Sequence, residues 1–262
     1  MKVHHLDCAT MCPFGGRWLN GVDRMVGHCL LVEAPAGLVL VDTGFGLLGA
    51  RRLPRSFRLA AGPDLSPERT ALRQILALGF DPRDVRDVVV THLDLDHAGG
   101  LADFPEARIH VQAEELEAAT HRRSPRARLR YLPAQFGHHP RWARHAPAGE
   151  RWRGFEAVAA IDGLPPEILL LPLPGHTRGH QAVAVDTGAG WLLHAGDQYA
   201  HRGRVDPAVP VPFGQRAFER AIAWDHRRVR DNQARLRELR AAADDVTVFS
   251  AHDAEEYRRL AG

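Results

Sequence analysis

The sequence predicts an α/β fold of layered sheets, and three observations predict it. An apolar, β-branched run, Asp87-Val88-Val89-Val90, gives way at once to the polar stretch Thr91-His92-Leu93-Asp94-Leu95-Asp96-His97-Ala98-Gly99-Gly100, which reads as a buried strand ending in a loop. The order strand, glycine-bearing turn, strand, aspartate occurs once in each half of the chain, ending at Asp42 and at Asp197. Between such runs lie segments with apolar residues at helical spacing, notably 66–79 and 215–240. In layered α/β folds functional residues collect where strands end, because loops there are held by a rigid sheet.

The elements follow in chain order. Residues 1–12 read as a strand and loop. Their His4, His5, Cys8 and Cys12 lack the second pair that a zinc site built on cysteines needs. Gly27–Val32 and Leu38–Val41 form a hairpin across the glycine-containing loop 33–37, and its second strand delivers Asp42. Residues 47–65, basic and irregular, read as a loop over a site entrance. Ser66 caps a helix with Pro67 in its first turn; Leu72, Ile75, Leu76 and Leu78 form its apolar face and Gly79 ends it. After the polar stretch come a strand at 108–111, whose His110 alternates with apolar neighbours and reads as a packing residue, and a short helix at 113–118.

Residues 120–153 change character: arginines and histidines are interleaved with Tyr131, Phe136, Trp142 and Trp152. This reads as a lid or insertion, or a homodimer contact. A grip on nucleic acid is the weaker alternative. Sheet patterning returns with 168–171, then a second hairpin, 181–185 and 191–194, that leads to Asp197. A long amphipathic helix is expected over 215–240, with Phe218, Ile222, Val229, Leu236 and Leu239 inward. A last strand, 246–250, delivers His252.

Composition narrows the class. A chain of 262 residues, 45% hydrophobic, can bury a sizeable core, and a net charge of +2 does not mark a polyanion binder. No run approaches the ~18 apolar residues of a membrane span. The N-terminus lacks a signal-peptide core, and three cysteines make no disulfide framework. The expectation is one soluble, cytoplasmic domain over 1–262, with a small-molecule substrate and no membrane partner.

The polar stretch carries the chemistry. His92, Asp94, Asp96 and His97 offer imidazole nitrogen and carboxylate oxygen, a mixture suited to zinc, manganese, iron or cobalt. His-Leu-Asp-Leu-Asp-His-Ala-Gly-Gly resembles the HxHxDH signature of the metallo-β-lactamase superfamily, especially its lactonase-like branch. Four further segments resemble that family's motifs in order: 39–44 with Asp42, 174–180 with His176, 194–197 with Asp197 and 250–253 with His252. The resemblance implies a four-layer αβ/βα sandwich, two mixed β-sheets flanked by helices. It implies two divalent metal ions, zinc first. One takes His92 and His176, with Asp94 a candidate third ligand; the other takes Asp96, His97 and His252. Asp197 bridges, and Asp42 supports a ligand histidine from behind.

The implied reaction is attack of a metal-bound hydroxide on the acyl carbon of a small lactone or ester, an acyl-homoserine-lactone-type substrate above all. Asp96 would shuttle the proton and Tyr199 would steady the oxyanion. Glyoxalase II-type thioester hydrolysis, phosphodiester or nuclease chemistry and a non-catalytic ligand sensor are the alternatives. The departure is Asp94, where the family carries histidine. Its extra negative charge is expected to shift preference toward manganese or iron.

Overall fold

A computed structural model of the chain, described at residues 1–138, 140–147, 150–157 and 161–262, is built on two mixed sheets. In the first, β1 (Lys2–Asp7), β2 (His28–Ala34), β3 (Gly37–Val41), β4 (Val85–Val89), β5 (Arg108–Gln112) and β6 (Arg141–His145) lie side by side in chain order. β1 to β3 are antiparallel and β3 to β6 parallel. A small hairpin pairs β7 (Glu150–Trp152) with β8 (Phe155–Ala157). The second sheet is formed by β9 (Ile168–Pro172), β10 (Gln181–Asp186), β11 (Trp191–His194) and β12 (Val246–Phe249). β9 to β11 are antiparallel and β12 runs parallel to β11.

Strand periodicity explains the layering. Successive side chains point to opposite faces, so each buried strand serves two cores. Leu30, Val32, Val39, Val41 and Val89 of the first sheet meet Leu170, Val183, Val185 and Phe249 of the second. The alternate residues Cys29, Leu31, Leu38, Leu40 and Val88 pack outward on Ala71 and Ile75, and on Leu116 and Ala119 of the helix Ala113–His121. Across the molecule Leu169, Leu171, Ala182, Ala184 and Leu193 pack on Leu236 and Leu239 of the helix His226–Ala242. Helix, sheet, sheet, helix is the expected αβ/βα sandwich. Each buried valine or leucine contributes about 1.5–3 kcal/mol. A one-residue slip would exchange inner and outer sets, so register is tightly specified.

Four local expectations are corrected. Residues 47–65 are largely helical, as Leu47–Arg52 and Arg55–Ala61. The helix expected from Ser66 begins as a short 3-10 turn, and Thr70 caps the α-helix proper, Ala71–Ala77. The long helix over 215–240 is two helices, Phe213–Ile222 and His226–Ala242. Between them Trp224 and Asp225 donate backbone N–H bonds to the carbonyls of His176 and Gly175, and Asp225 then caps the second helix. Phe218 and Ile222 face a cleft rather than the core. Finally, 120–153 is divided: Arg128, Leu129, Arg130 and Leu132 line the cleft over the site, while other parts of the segment build sheet and core. It contributes β6 to the first sheet, Trp142 packs on Phe136, and Trp152 packs on Trp191. Residues 139, 148 and 149 of that segment lie outside the described residues. Among the described residues, no helix is long and apolar enough to cross a membrane.

Candidate metal centre

The ends of four strands converge. β4 leads into His92, Asp94, Asp96 and His97; β9 into the turn holding His176; β11 into Asp197; β12 into His252. Leu93 and Leu95 are buried and anchor the first loop, so the polar residues alternating with them turn the other way. One helical turn, Leu95–Ala98, then presents Asp96 and His97.

The donor atoms fall into two groups, each able to hold a metal ion: His92, His176 and Asp197, and Asp96, His97 and His252. Asp197 joins them. Its Oδ2 lies 3.5 Å from His176 Nε2 and 3.9 Å from His92 Nε2, while its Oδ1 lies 3.2 Å from both His97 Nε2 and His252 Nε2. Asp96 Oδ2 is 3.5 Å from His252 Nε2 and 3.9 Å from His97 Nε2. Asp94 Oδ2 is 3.1 Å from His176 Nε2 and 3.3 Å from His92 Nε2. Ligands about 2.0 Å from a shared tetrahedral ion stand about 3.3 Å apart, and the distances here run from 3.1 to 3.9 Å. His92 Nε2, Asp94 Oδ1, His97 Nε2 and Asp197 Oδ1 are buried without a properly directed hydrogen bond. Such atoms are costly unless something else satisfies them, and a shared cation does so.

The outer partners fix the tautomers. Asp42 Oδ2 sits 2.8 Å from His97 Nδ1, and the same carboxylate accepts from the Thr91 N–H and hydroxyl. Asp42 adopts a φ of +57°, uncommon outside glycine, and these three bonds hold it there. His252 Nδ1 donates to the Val26 carbonyl at 2.8 Å, leaving Nε2 for the centre. His180 is not among the donors; its Nε2 accepts from the Asp197 N–H at 3.0 Å and so sets the bridging residue's backbone.

Two residues with no signal in the sequence complete the frame. Glu115, fully buried on the helix Ala113–His121, accepts from Leu93 N, Gly179 N and the Tyr131 hydroxyl, each at 3.0 Å. It therefore ties the His92 loop to the His176 turn. Gly179 is required for this approach, since a Cβ there would lie 2.3 Å from Glu115 N. Arg130, at the end of the helix Pro125–Arg130, places its Nε 2.9 Å from Asp94 Oδ1 and donates to the His176 carbonyl at 3.0 Å. One acidic residue in a helix and one arginine among many carry no motif, so sequence reading passes over both.

The electrostatics call for positive charge between the carboxylates. Burial pulls the His97 imidazole down, but Asp197, Asp96 and Asp42 outweigh it and hold it well above the ordinary histidine value. His252 stands at about 9, with burial opposed and overcome chiefly by Asp197. Burial would raise Asp197, yet His252, His97 and His176 hold it well below the usual carboxylate range. In the absence of ions, protonated imidazoles supply the compensation that divalent cations would supply when bound.

One predicted site residue is not brought to the centre. Tyr199 is fully buried in the core under the second sheet, and its hydroxyl donates to Glu256 at 3.2 Å. Its side chain does not line the cleft above the donors, which speaks against an oxyanion role. The N-terminal histidines are likewise engaged elsewhere, His4 with Glu33 and His5 with His28, and His110 pairs with Asp87 as a packing residue.

Comparison with known proteins agrees with this arrangement. Residues 22–252 match the model of the metallo-beta-lactamase superfamily. A probable metallo-hydrolase of Mycobacterium tuberculosis is 46% identical over 98% of this chain and 82% of its own length. An N-acyl homoserine lactonase of Bacillus thuringiensis is 26% identical over 87% of this chain and 81% of its own. The solved structure of a B. thuringiensis lactonase variant with N-decanoyl-L-homoserine bound shares the fold, at a TM-score of 0.72 and 22% identity over 98% of this chain and 95% of that one. The chain belongs to the metallo-β-lactamase superfamily, and its likeness there extends to the lactonases.

Proposed function

We propose that the centre binds two divalent ions, zinc first among them, and hydrolyses small lactones or esters with an apolar tail, N-acyl homoserine lactones being the substrate class. The observation that carries this is the cleft above the donors. It measures about 710 Å³, and its floor holds Asp94, Asp96, Asp197 and His252. Its walls include Met11, Met25, Phe57, Leu132, Phe218 and Ile222. A polar floor under apolar walls suits a carbonyl headgroup on a hydrocarbon chain. The similarity to a protein named N-acyl homoserine lactonase supports the same reading.

Bound divalent ions would polarise the carbonyl and lower the pKa of water toward about 7. The chain's own residues do the rest. Asp197 spans both donor groups and fixes their separation. Asp42 and the Val26 carbonyl keep His97 and His252 turned inward. The apolar walls orient the acyl tail and exclude bulk water from the ester. Asp96, in the cleft floor, takes the proton released by the attacking water and passes it to the departing alkoxide. Ester and water thus become carboxylic acid and alcohol.

The test is turnover of a panel of lactones, a thioester and a phosphodiester by protein reconstituted with zinc, manganese or iron. Acyl-lactone turnover that rises with tail length and is lost in Asp197→Ala supports the proposal. Cleavage of the phosphodiester or thioester alone overturns the substrate assignment.

A further inference from the structure

Asp94 poses a problem that Arg130 answers. A carboxylate where the signature has histidine adds a negative charge to a centre that already holds Asp96 and Asp197. The side chains of Asp94 and Arg130 are 16% and 14% exposed, so neither charge is much relieved by water. The two oxygens of Asp94 divide their work. Oδ1 lies 2.9 Å from Arg130 Nε, an ion pair without a directed hydrogen bond, and Oδ2 faces His176 Nε2 at 3.1 Å and His92 Nε2 at 3.3 Å. The guanidinium is itself held by the carbonyls of His176 and Ile222, at 3.0 and 2.9 Å.

We propose that Asp94 and Arg130 act as one unit that replaces a neutral histidine ligand: the Arg130 charge holds Oδ1 as an ion pair so that Oδ2 is presented as a metal ligand, and it cancels the charge Asp94 adds. Arg130 is thus a positioning residue. The net charge of the centre equals that of a centre with histidine at 94, so the shift toward manganese or iron expected from Asp94 alone does not arise. The inference rests on the two-ion reading above.

The arrangement has a consequence opposite to simple motif repair. Arg130 Nη2 lies 3.4 Å from His176 Nε2, the atom the first ion needs. With Asp94 in place, the carboxylate offsets the charge of the guanidinium, whose Nη2 already stands within reach of that nitrogen. With Asp94→His, an unpaired buried cation is left beside that lone pair and beside the ion. Restoring the signature histidine alone should therefore weaken the first site, and removing the arginine as well should rescue it.

The experiment measures zinc per chain and zinc affinity by chelator competition. It compares the native protein, Asp94→His, Arg130→Met and the double variant, each checked for fold by circular dichroism. Asp94→His is expected to lose the first ion or bind it at least about tenfold more weakly, and Asp94→His with Arg130→Met to recover most of that loss. Should Asp94→His fail to fold, Asp94→Asn, nearly the same shape, serves: one ion per chain is expected, held by Asp96, His97 and His252. Asp94→His or Asp94→Asn binding two ions as tightly as native overturns the proposal, as does a double variant no better than Asp94→His. A native chain that takes up no ion refutes the two-ion reading itself. Two native ions without rescue refute only the assignment of Arg130.

Discussion

Glu115 offers the sharpest check on how the two ligand loops are held together. Its carboxylate accepts from Leu93 N, Gly179 N and the Tyr131 hydroxyl at 3.0 Å each, in a fully buried setting. Glu115→Ala strands these three donors. Each buried donor left unpaired costs about 1–3 kcal/mol, and a water entering the vacated space recovers part of that. The net expectation is a loss of about 3–5 kcal/mol, a large share of the roughly 5–15 kcal/mol that stabilises a domain. Glu115→Gln keeps an acceptor for two donors and turns an NH2 group toward the third, so its loss should be about 1–2 kcal/mol. Urea unfolding followed by tryptophan fluorescence reads both, as a lowered midpoint with an unchanged slope. Because Leu93 adjoins His92 and Gly179 closes the turn that holds His176, zinc affinity should fall in the same order, Ala below Gln below native. A loss under about 1 kcal/mol in Glu115→Ala, with native zinc affinity, would refute the argument that this carboxylate joins the loops.

Three further predictions follow from named contacts. Asp42→Ala removes the acceptor that orients His97, and chelator competition should show zinc bound about 10–100-fold more weakly. Tyr199→Phe should leave kcat within about threefold of native, since its hydroxyl serves Glu256; a loss of about a hundredfold would restore the oxyanion role. Burial pushes the Glu256 carboxyl up to about 8 from an ordinary 4.5. The fold therefore favours its neutral form. That contribution is complete below about pH 4.5 and is lost as pH rises to about 8, at a ceiling of about 5 kcal/mol. Calorimetry should show a smaller drop in Tm between pH 5 and 8 for Glu256→Gln than for the native chain.

The parts legible in the sequence were those written in local pattern. Val88 to Val90 announced a buried strand, and the hairpins ending at Asp42 and Asp197 announced themselves by alternation and glycine turns. The donor residues were legible because their chemistry is concentrated at short spacing. What sequence reading missed depends on approach in space. The break at 223–225 is set by backbone bonds to Gly175 and His176, partners about fifty residues away. The aromatics of 120–153 suggested a lid, but Trp142 and Trp152 find core partners, Phe136 and Trp191. Arg130 is one arginine among many in that segment, and only its distance from Asp94 separates it from a solvated neighbour. Tyr199 illustrates the opposite error: nearness in sequence to Asp197 suggested a shared site, while the chain turns its ring into the core.

The central claim is that strand ends from both sheets enclose a pair of cations bridged by Asp197. Anomalous diffraction at the zinc edge from crystals of the zinc-loaded protein tests it directly. The account predicts two peaks about 3.5–4 Å apart, one bounded by His92, Asp94 and His176, the other by Asp96, His97 and His252, with Asp197 between them. A single peak, or peaks away from these side chains, would contradict it.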